Sequence, residues 1–408
     1  PPPPPPPFFF TLKTAYDIRL SLVGSEMCIR DRDHTQGVIA SNAMNRGLHV
    51  YVQKPLTHNI EEARALTKIA AKNKVVTQMG NQGGSSTGVV KIQEWVDKKM
   101  IGKIHKIYAW TNRPVWPQGF DMESNEEEKP ANLNWDLWLG PAASTKYTSQ
   151  LHPFNWRGWW DYGTGALGDM GCHILDAPYK TLGLHYPTDV ECSVGQVFQQ
   201  AWSQNYVPKG CPASSIVTLN FDKTAKNNSK IELIWMDGGL RPSHPEFIPA
   251  DDFLGEENST NGVLMIGETG VISCGVYGLG PKLYRKGQET IEFSTDDYWK
   301  TLDHTHHMEW INGIKGGYGS DEYKKITAPF EYAGPFTETV LMGNLAIRSY
   351  MSMGKDKPKY APNTYSTSEY SKFVGRKKLL WDGDNMKITN FDEANKFVGR
   401  TRRSGWNI

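Results

Sequence analysis

Cysteine is scarce in this chain. The 408 residues hold five, Cys28, Cys172, Cys192, Cys211 and Cys274, with no C-x-x-C pair and no regular spacing. That argues against a zinc knuckle or a disulfide framework. No run of about 18 apolar residues occurs, so no segment reads as a spanning helix. An excess of one charge is missing too: 45 Lys and Arg face 44 Asp and Glu, a formal net charge of +1. Nucleic acid and anionic membrane surfaces therefore have no electrostatic footing as partners. No internal repeat is evident. What the chain has in quantity is aromatic side chains, 12% of residues with 14 Trp. Trp and Tyr often stack on sugar rings, which hints at a carbohydrate-like ligand, although composition alone favours a large core or domain interface.

The first 32 residues stand apart. "PPPPPPPFFF" is what runs of C and then T would give if translated, and "SLVGSEMCIRDR" resembles translated adapter sequence. A natural Pro-rich arm would be extended and solvated. Residues 1–32 are read as a non-native or disordered leader, and fold reasoning starts at Asp33. From there the texture alternates. "TQGVIASNAMNRG" reads as a helix with Val38, Ala43 and Met44 inward and Gly47 as its stop. "HVYV" (49–52) is a short buried strand. "NIEEARALTKIAAKNK" is amphipathic, with Ile60, Ala63, Leu66, Ile69 and Ala70 on one stripe, Asn59 as N-cap and Glu62 completing a capping-box-like pair. "VVTQMGNQ" (75–82) is a second strand entering a glycine loop, and "GVVKIQEWVDKKM" a third helix. Strand and helix in alternation with short connections predict a parallel, doubly wound sheet over residues 33–102.

After Gly102 the pattern changes. "KIHKIYAW", "SIVTLNF", "KIELIWM", "GVLMIG" and "GVISCGV" are period-two runs between Gly and Asp turns, interrupted by helical stretches near 166–182, 308–315 and 336–351. Residues 103–408 are expected to form an α+β domain with an open, mostly antiparallel sheet. With the first part, the fold class is α/β plus α+β.

Two places carry chemistry. Lys54 follows a strand's carboxyl end, the edge where open α/β sheets bind ligands, and Pro55 limits where it points. A lysine held beside a cationic or apolar ligand can exchange protons near neutrality, but a lone loop lysine is usually only solvated. In "GALGDMGCHILD" (165–176), Asp169 and His173 lie four residues apart in an apolar run, with Asp176 one turn further on. If helical, they share a face. An acid beside an imidazole can fix its tautomer and make it a base, and a satisfied core Asp–His pair is the bland alternative. Upstream, "FNWRGWWDYG" supplies Trp156, Arg157, Trp159, Trp160 and Tyr162. Arg157 suits an anionic group, and the Trp cluster suits a sugar face or, for Trp159 and Trp160 above all, packing. "HTHH" (304–307) invites a metal reading, but no Cys or carboxylate pair completes a site. It is read as the start of the helix "HMEWINGIKGG". "SNEEEKP" (124–130) reads as a solvated acidic loop, and the basic, Trp-bearing tail as a docking arm or subunit contact.

"GLHVYVQKPLTHNIEEARAL" together with "GTGALGDMGCHILD" closely resembles the glucose–fructose oxidoreductase and inositol dehydrogenase family, Gfo/Idh/MocA. "FTETVLMGNLAIRS" and "KLLWDGDNMKITNFDEANKFVGRTRRSGW" are similar to a bacterial subgroup of it. The resemblance covers Asp33 to Ile408. It implies an N-terminal Rossmann domain binding NAD or NADP, here partial, followed by a substrate-binding and oligomerisation domain. The family's E-K-P lysine falls on Lys54 and its D-x-x-x-H helix on Asp169 and His173. The implied catalytic set is Lys54, Asp169 and His173, with His173 as general base, oriented by Asp169 and assisted by Lys54. Cofactor contacts are expected at Asp33, Gln53, Pro55, Asn81 and Arg157. Substrate contacts are expected at Trp156, Tyr162, Asp169 and His173, and no metal. The implied partner is a sugar, cyclitol or related polyol, in a homo-oligomer of either cytoplasmic or exported location. Three departures stand out. Gln53 replaces the usual Glu, and Gln36 stands where many members have His. No G-x-G-x-x-G follows a strand near the start, so the reading expects an N-terminally truncated enzyme whose parallel sheet has an uncovered edge. Rival readings are a glycosidase or lyase using transient oxidation by tightly held NAD, and a non-catalytic sugar-binding protein on the same scaffold.

Overall fold

The structure is a computed structural model that describes residues 27–29, 32–120, 122, 127–200, 203–204, 207–295, 298–353 and 373–408. The rest of the expected leader and part of the acidic loop, residues 124–126, lie outside the described residues.

The first lobe follows the expected alternation. β1 (Met27–Ile29), β2 (Val50–Gln53) and β3 (Thr77–Gly80) pair in that order, all parallel, with Met27 opposite Val50 and Val50 opposite Thr77. The first of these strands lies inside the stretch set apart as a leader. α1 (Asp33–Met44) and α2 (Ile60–Asn73) connect the strands, and α3 (Thr87–Asp97) follows. Local sequence explains α2 well. Asn59 Oδ1 accepts from the Glu62 amide at 3.1 Å, Ile60, Ala63, Leu66 and Ala70 are buried, and Lys74 ends the helix in the left-handed region. Glu62 does not return the favour to the Asn59 amide. Its carboxylate, wholly buried, receives Arg400 at 2.9 Å and Arg402 at 3.2 Å from the C-terminal arm. The far edge of β3 is covered: the Met79 amide donates to Ala328 O at 2.9 Å, and the Phe330 amide to Thr77 Oγ1 at 3.0 Å.

The remaining elements are β4 (Ile104–Thr111), α4 (Trp135–Leu139), α5 (Gly165–Ile174), α6 (Asp176–Leu182), β5 (Asp189–Gly195), the small pair β6 (Phe198–Gln200) and β7 (Ser203–Gln204), β8 (Ser214–Phe221), β9 (Ile231–Met236), β10 (Asn261–Gly267), β11 (Gly270–Cys274), β12 (Lys282–Arg285), β13 (Ile291–Glu292), α7 (Tyr298–Gly316), α8 (Phe330–Tyr350), β14 (Leu379–Asp382) and β15 (Lys387–Ile388). Ten of the strands form one sheet in the order β13-β12-β11-β10-β4-β9-β8-β5-β14-β15, antiparallel throughout except for β4 beside β9. The period-two signal is visible in β8, where Ser215, Val217, Leu219 and Phe221 are buried and the residues between them half-buried. α8 lies on the inner face against β5, β8, α5 and α2. Its buried stripe, including Phe336, Val340 and Leu345, joins the two lobes in one core.

One expected boundary moves. α7 begins at Tyr298, so "HTHH" lies inside a helix rather than at its start. His304 is exposed, His307 stacks on Tyr51 with ring centroids 4.7 Å apart, and His306 is fully buried.

Candidate active site

Two chain segments 115 residues apart meet at the carboxyl end of β2. Lys54, the first residue past that strand, places Nζ 3.0 Å from Asp169 Oδ1 on α5, and it also donates to the Asp169 carbonyl. A cis peptide joins it to Pro55. Arg157 Nε lies 3.5 Å from the same Asp169 oxygen. Burial pushes the Asp169 carboxyl up, but Lys54 and then Arg157 outweigh it and hold the group below the ordinary aspartate value. The side chains of Lys54, Asp169 and Arg157 keep 16%, 19% and 26% exposure, so the cluster stays partly open to solvent.

His173 follows one turn along α5, as the spacing predicts. Its expected partner does not orient it. The Asp169 carboxylate is committed to Lys54 and Arg157 and influences the imidazole through charge alone. His173 Nδ1 is sealed in the fold without a hydrogen-bond partner. Burial lowers the imidazole well below its ordinary pKa, Lys54 lowers it further and Asp169 opposes both. The ring is therefore neutral at pH 7.

The other expected residues divide. Asn81, at the carboxyl end of β3, is fully buried beside Asp176, and its amide makes no well-formed hydrogen bond. Gln53 lies over Gly80, so close that any side chain there would meet Gln53 Oε1. Asp33 is buried at the start of α1 and accepts from Thr164 Oγ1 at 2.6 Å. Desolvation raises its pKa to about 6, against the pull of Thr164, Arg157 and Lys54. Trp156 and Tyr162 do not face the cleft. They are 6% and 2% exposed and pack with Trp138, Leu139, Leu151 and Trp159 in an aromatic core, where the Trp156 ring supports the Arg157 guanidinium from 4.4 Å. Trp159 and Trp160 are packing residues, as composition suggested.

The sequence reading missed Tyr277. It sits in the turn between β11 and β12, and its ring centroid is 4.5 Å from that of His173. The only local sign was its setting, "GVYGLG", with glycines at 275, 278 and 280. Also missed was the anchoring of the loop after β3. Lys180 donates to Gly84 O at 3.2 Å and Thr327 O at 3.0 Å, while Ser85 Oγ meets His306 Nδ1 and Thr327 Oγ1, each at 2.8 Å. His306 Nε2 faces Met79 O at 2.9 Å, so this histidine is a satisfied structural group.

The parallel sheet, with Lys54 and Asn81 at the carboxyl ends of two adjacent strands, and the facing helix with Asp169 and His173 gather polar groups at the edge where open α/β sheets bind ligands. Residues 13–81 match the oxidoreductase family NAD-binding Rossmann fold, and residues 86–205 match the oxidoreductase family C-terminal alpha/beta domain. The chain belongs to the Gfo/Idh/MocA oxidoreductase family and is an NAD(P)-dependent oxidoreductase. Similar solved structures include an NAD binding oxidoreductase from Klebsiella pneumoniae (16% identity, TM-score 0.50, covering 78% of this chain and 77% of that one). An oxidoreductase from Pseudomonas syringae is also similar (12% identity, TM-score 0.50, 78% and 75%). A third is a levoglucosan dehydrogenase in complex with NADH and levoglucosan (14%, 0.49, 78% and 76%). No curated protein sequence matches the chain.

Proposed function

We propose that this protein oxidises a ring alcohol of a sugar, cyclitol or related polyol. The observation that carries the proposal is the meeting of Lys54 with Asp169 across the cleft, one helical turn from a neutral imidazole. NAD or NADP, when bound, supplies the hydride acceptor. The protein's own work is then to hold the alcohol and remove its proton. Lys54 and Arg157, both anchored on Asp169, offer donors to hydroxyl oxygens. As the C–H bond breaks, the hydroxyl O–H must also break, and His173 takes the proton at Nε2, because Nδ1 is closed off inside the fold. Asn81 and the loop of residues 82–85, which Lys180 and Ser85 hold in place, would contact the nicotinamide end of the cofactor.

The test is direct. The protein is incubated with NAD or NADP and a panel of cyclitols, aldoses and anhydrosugars, and absorbance is followed at 340 nm. Growth of the reduced-cofactor band that disappears in His173→Gln and Lys54→Met supports the reading. Product formed with no net reduced cofactor favours redox-assisted elimination or hydrolysis instead, and turnover unchanged in both variants overturns the assignment.

A further inference from the structure

We propose that Tyr277 is a positioning residue that holds the His173 imidazole and closes it off from water. The proposal rests on the reading of His173 as the base, and its test separates the two.

Three geometric observations carry it. First, the tyrosine ring meets the imidazole edge-on, with centroids 4.5 Å apart and planes inclined by 60°. Since His173 Nδ1 has no hydrogen bond and Asp169 is turned to Lys54, this ring contact is a main constraint on how the imidazole lies. Second, Tyr277 has φ 64°, in the left-handed region that a bulky residue occupies at a cost, while the next residue, Gly278, is glycine and has φ 71°. A chain free to relieve this conformation would carry its glycine one position earlier. Third, the turn is wedged into the cleft wall. A side chain on Gly83 would meet Tyr277 Cα at 2.7 Å, and one on Gly88 would meet Gly278 O at 2.0 Å. The loop after β3 and the turn carrying Tyr277 thus fit only because glycines lie between them. One aromatic ring bridges the edge where the nicotinamide would lie and the helix that carries the acid and the base.

The groups that act on His173 from the surrounding elements are Lys54 at the end of β2, Asp169 on its own helix and Tyr277 itself. The Tyr277 phenol is pushed up to about 12 by burial, reinforced by Asp169 and Glu256 and opposed by Arg113, so it stays protonated through the working range. Its contribution is therefore shape and exclusion of water, not charge. Removing the ring exposes the imidazole, and a group depressed mainly by burial then returns toward its ordinary value.

The experiment uses the full chain with 13Cε1-labelled histidine, in Tyr277→Phe, Tyr277→Gly and Tyr277→Asn. The His173 signal is assigned by its loss in His173→Gln. In the parent and in Tyr277→Phe, the His173 midpoint should lie well below the ordinary histidine range. In Tyr277→Gly it should move up toward that range. Glycine and asparagine both tolerate the left-handed backbone, which offsets part of the packing lost with the ring, and melting temperatures confirm that each variant folds. Tyr277→Asn serves if the glycine variant does not fold. For turnover, with whichever polyol the 340 nm panel identifies, kcat should fall on the order of tenfold in Tyr277→Gly, with its acid limb shifted to higher pH. Tyr277→Phe should restore both. A His173 signal unmoved in a folded Tyr277→Gly protein overturns the proposal. A moved signal with unchanged turnover upholds it and removes His173 as the base.

Discussion

Two buried imidazoles mark two regions of this molecule, and they differ in one respect. His306, on α7, has a partner at each nitrogen, Ser85 Oγ and Met79 O. His173, on α5, has a sealed Nδ1 with no partner. Burial lowers the pKa of both. Burial alone, then, does not separate a working histidine from a structural one. The satisfied ring anchors the loop after β3, and the unsatisfied ring lies beside the half-buried Lys54–Asp169 pair. Buried polar groups are normally paired, so an orphan at a cleft is the informative case.

The comparison makes graded predictions. The largest effect is expected at the unsatisfied ring: His173→Gln should lower kcat by about 10²–10⁴ with little change in unfolding free energy, read from turnover and urea melts on the same preparation. Equal losses in both would erase the distinction.

Next is Asp33, held at about pH 6 by burial against an ordinary 3.8. The folded protein binds this proton more tightly than the unfolded chain does. The group's contribution is therefore full below about pH 3.8 and is lost as pH rises through about 6, a decline of about 3 kcal/mol. Asp33→Asn, which keeps an acceptor for Thr164, should remove that part of the decline. Urea unfolding at pH 4 and pH 7 measures it, and an unchanged pH dependence counts against the buried carboxyl.

The smallest effect belongs to the satisfied ring. His306→Phe should cost about 2 kcal/mol of stability and weaken cofactor binding through the loosened 82–85 loop. Because Lys180 still holds that loop, kcat at saturating cofactor should change little. A large kcat loss would mean the two histidines are not as different as their hydrogen bonds imply.

The same contrast shows what the sequence could and could not convey. Periodicity gave the α2 stripe, the inward face of β8 and the four-residue step from Asp169 to His173, because these depend on local geometry. It did not reveal that Asp169 turns toward Lys54 and Arg157, since that choice is made by residues 115 and 12 positions away. The packing of Trp156 and Tyr162 was illegible for a similar reason: an aromatic side chain suits a sugar face and a core equally, and the Trp138 and Leu151 that surround them come from other segments. The α7 start was misjudged because its first turn, "YWKTLD", lacks a regular apolar stripe. Tyr277 was invisible because its role comes from a turn between distant strands.

The C-terminal arm has a practical meaning for anyone handling this protein. Arg400 and Arg402 neutralise Glu62, which has no other cationic partner in the fold described and no exposure to water, and Ile408 rests against Gly37. A protease clip near residue 399 would leave a bare carboxylate inside the cofactor lobe, more than 300 residues from the cut. Loss of the tail should therefore register first as weakened nicotinamide binding.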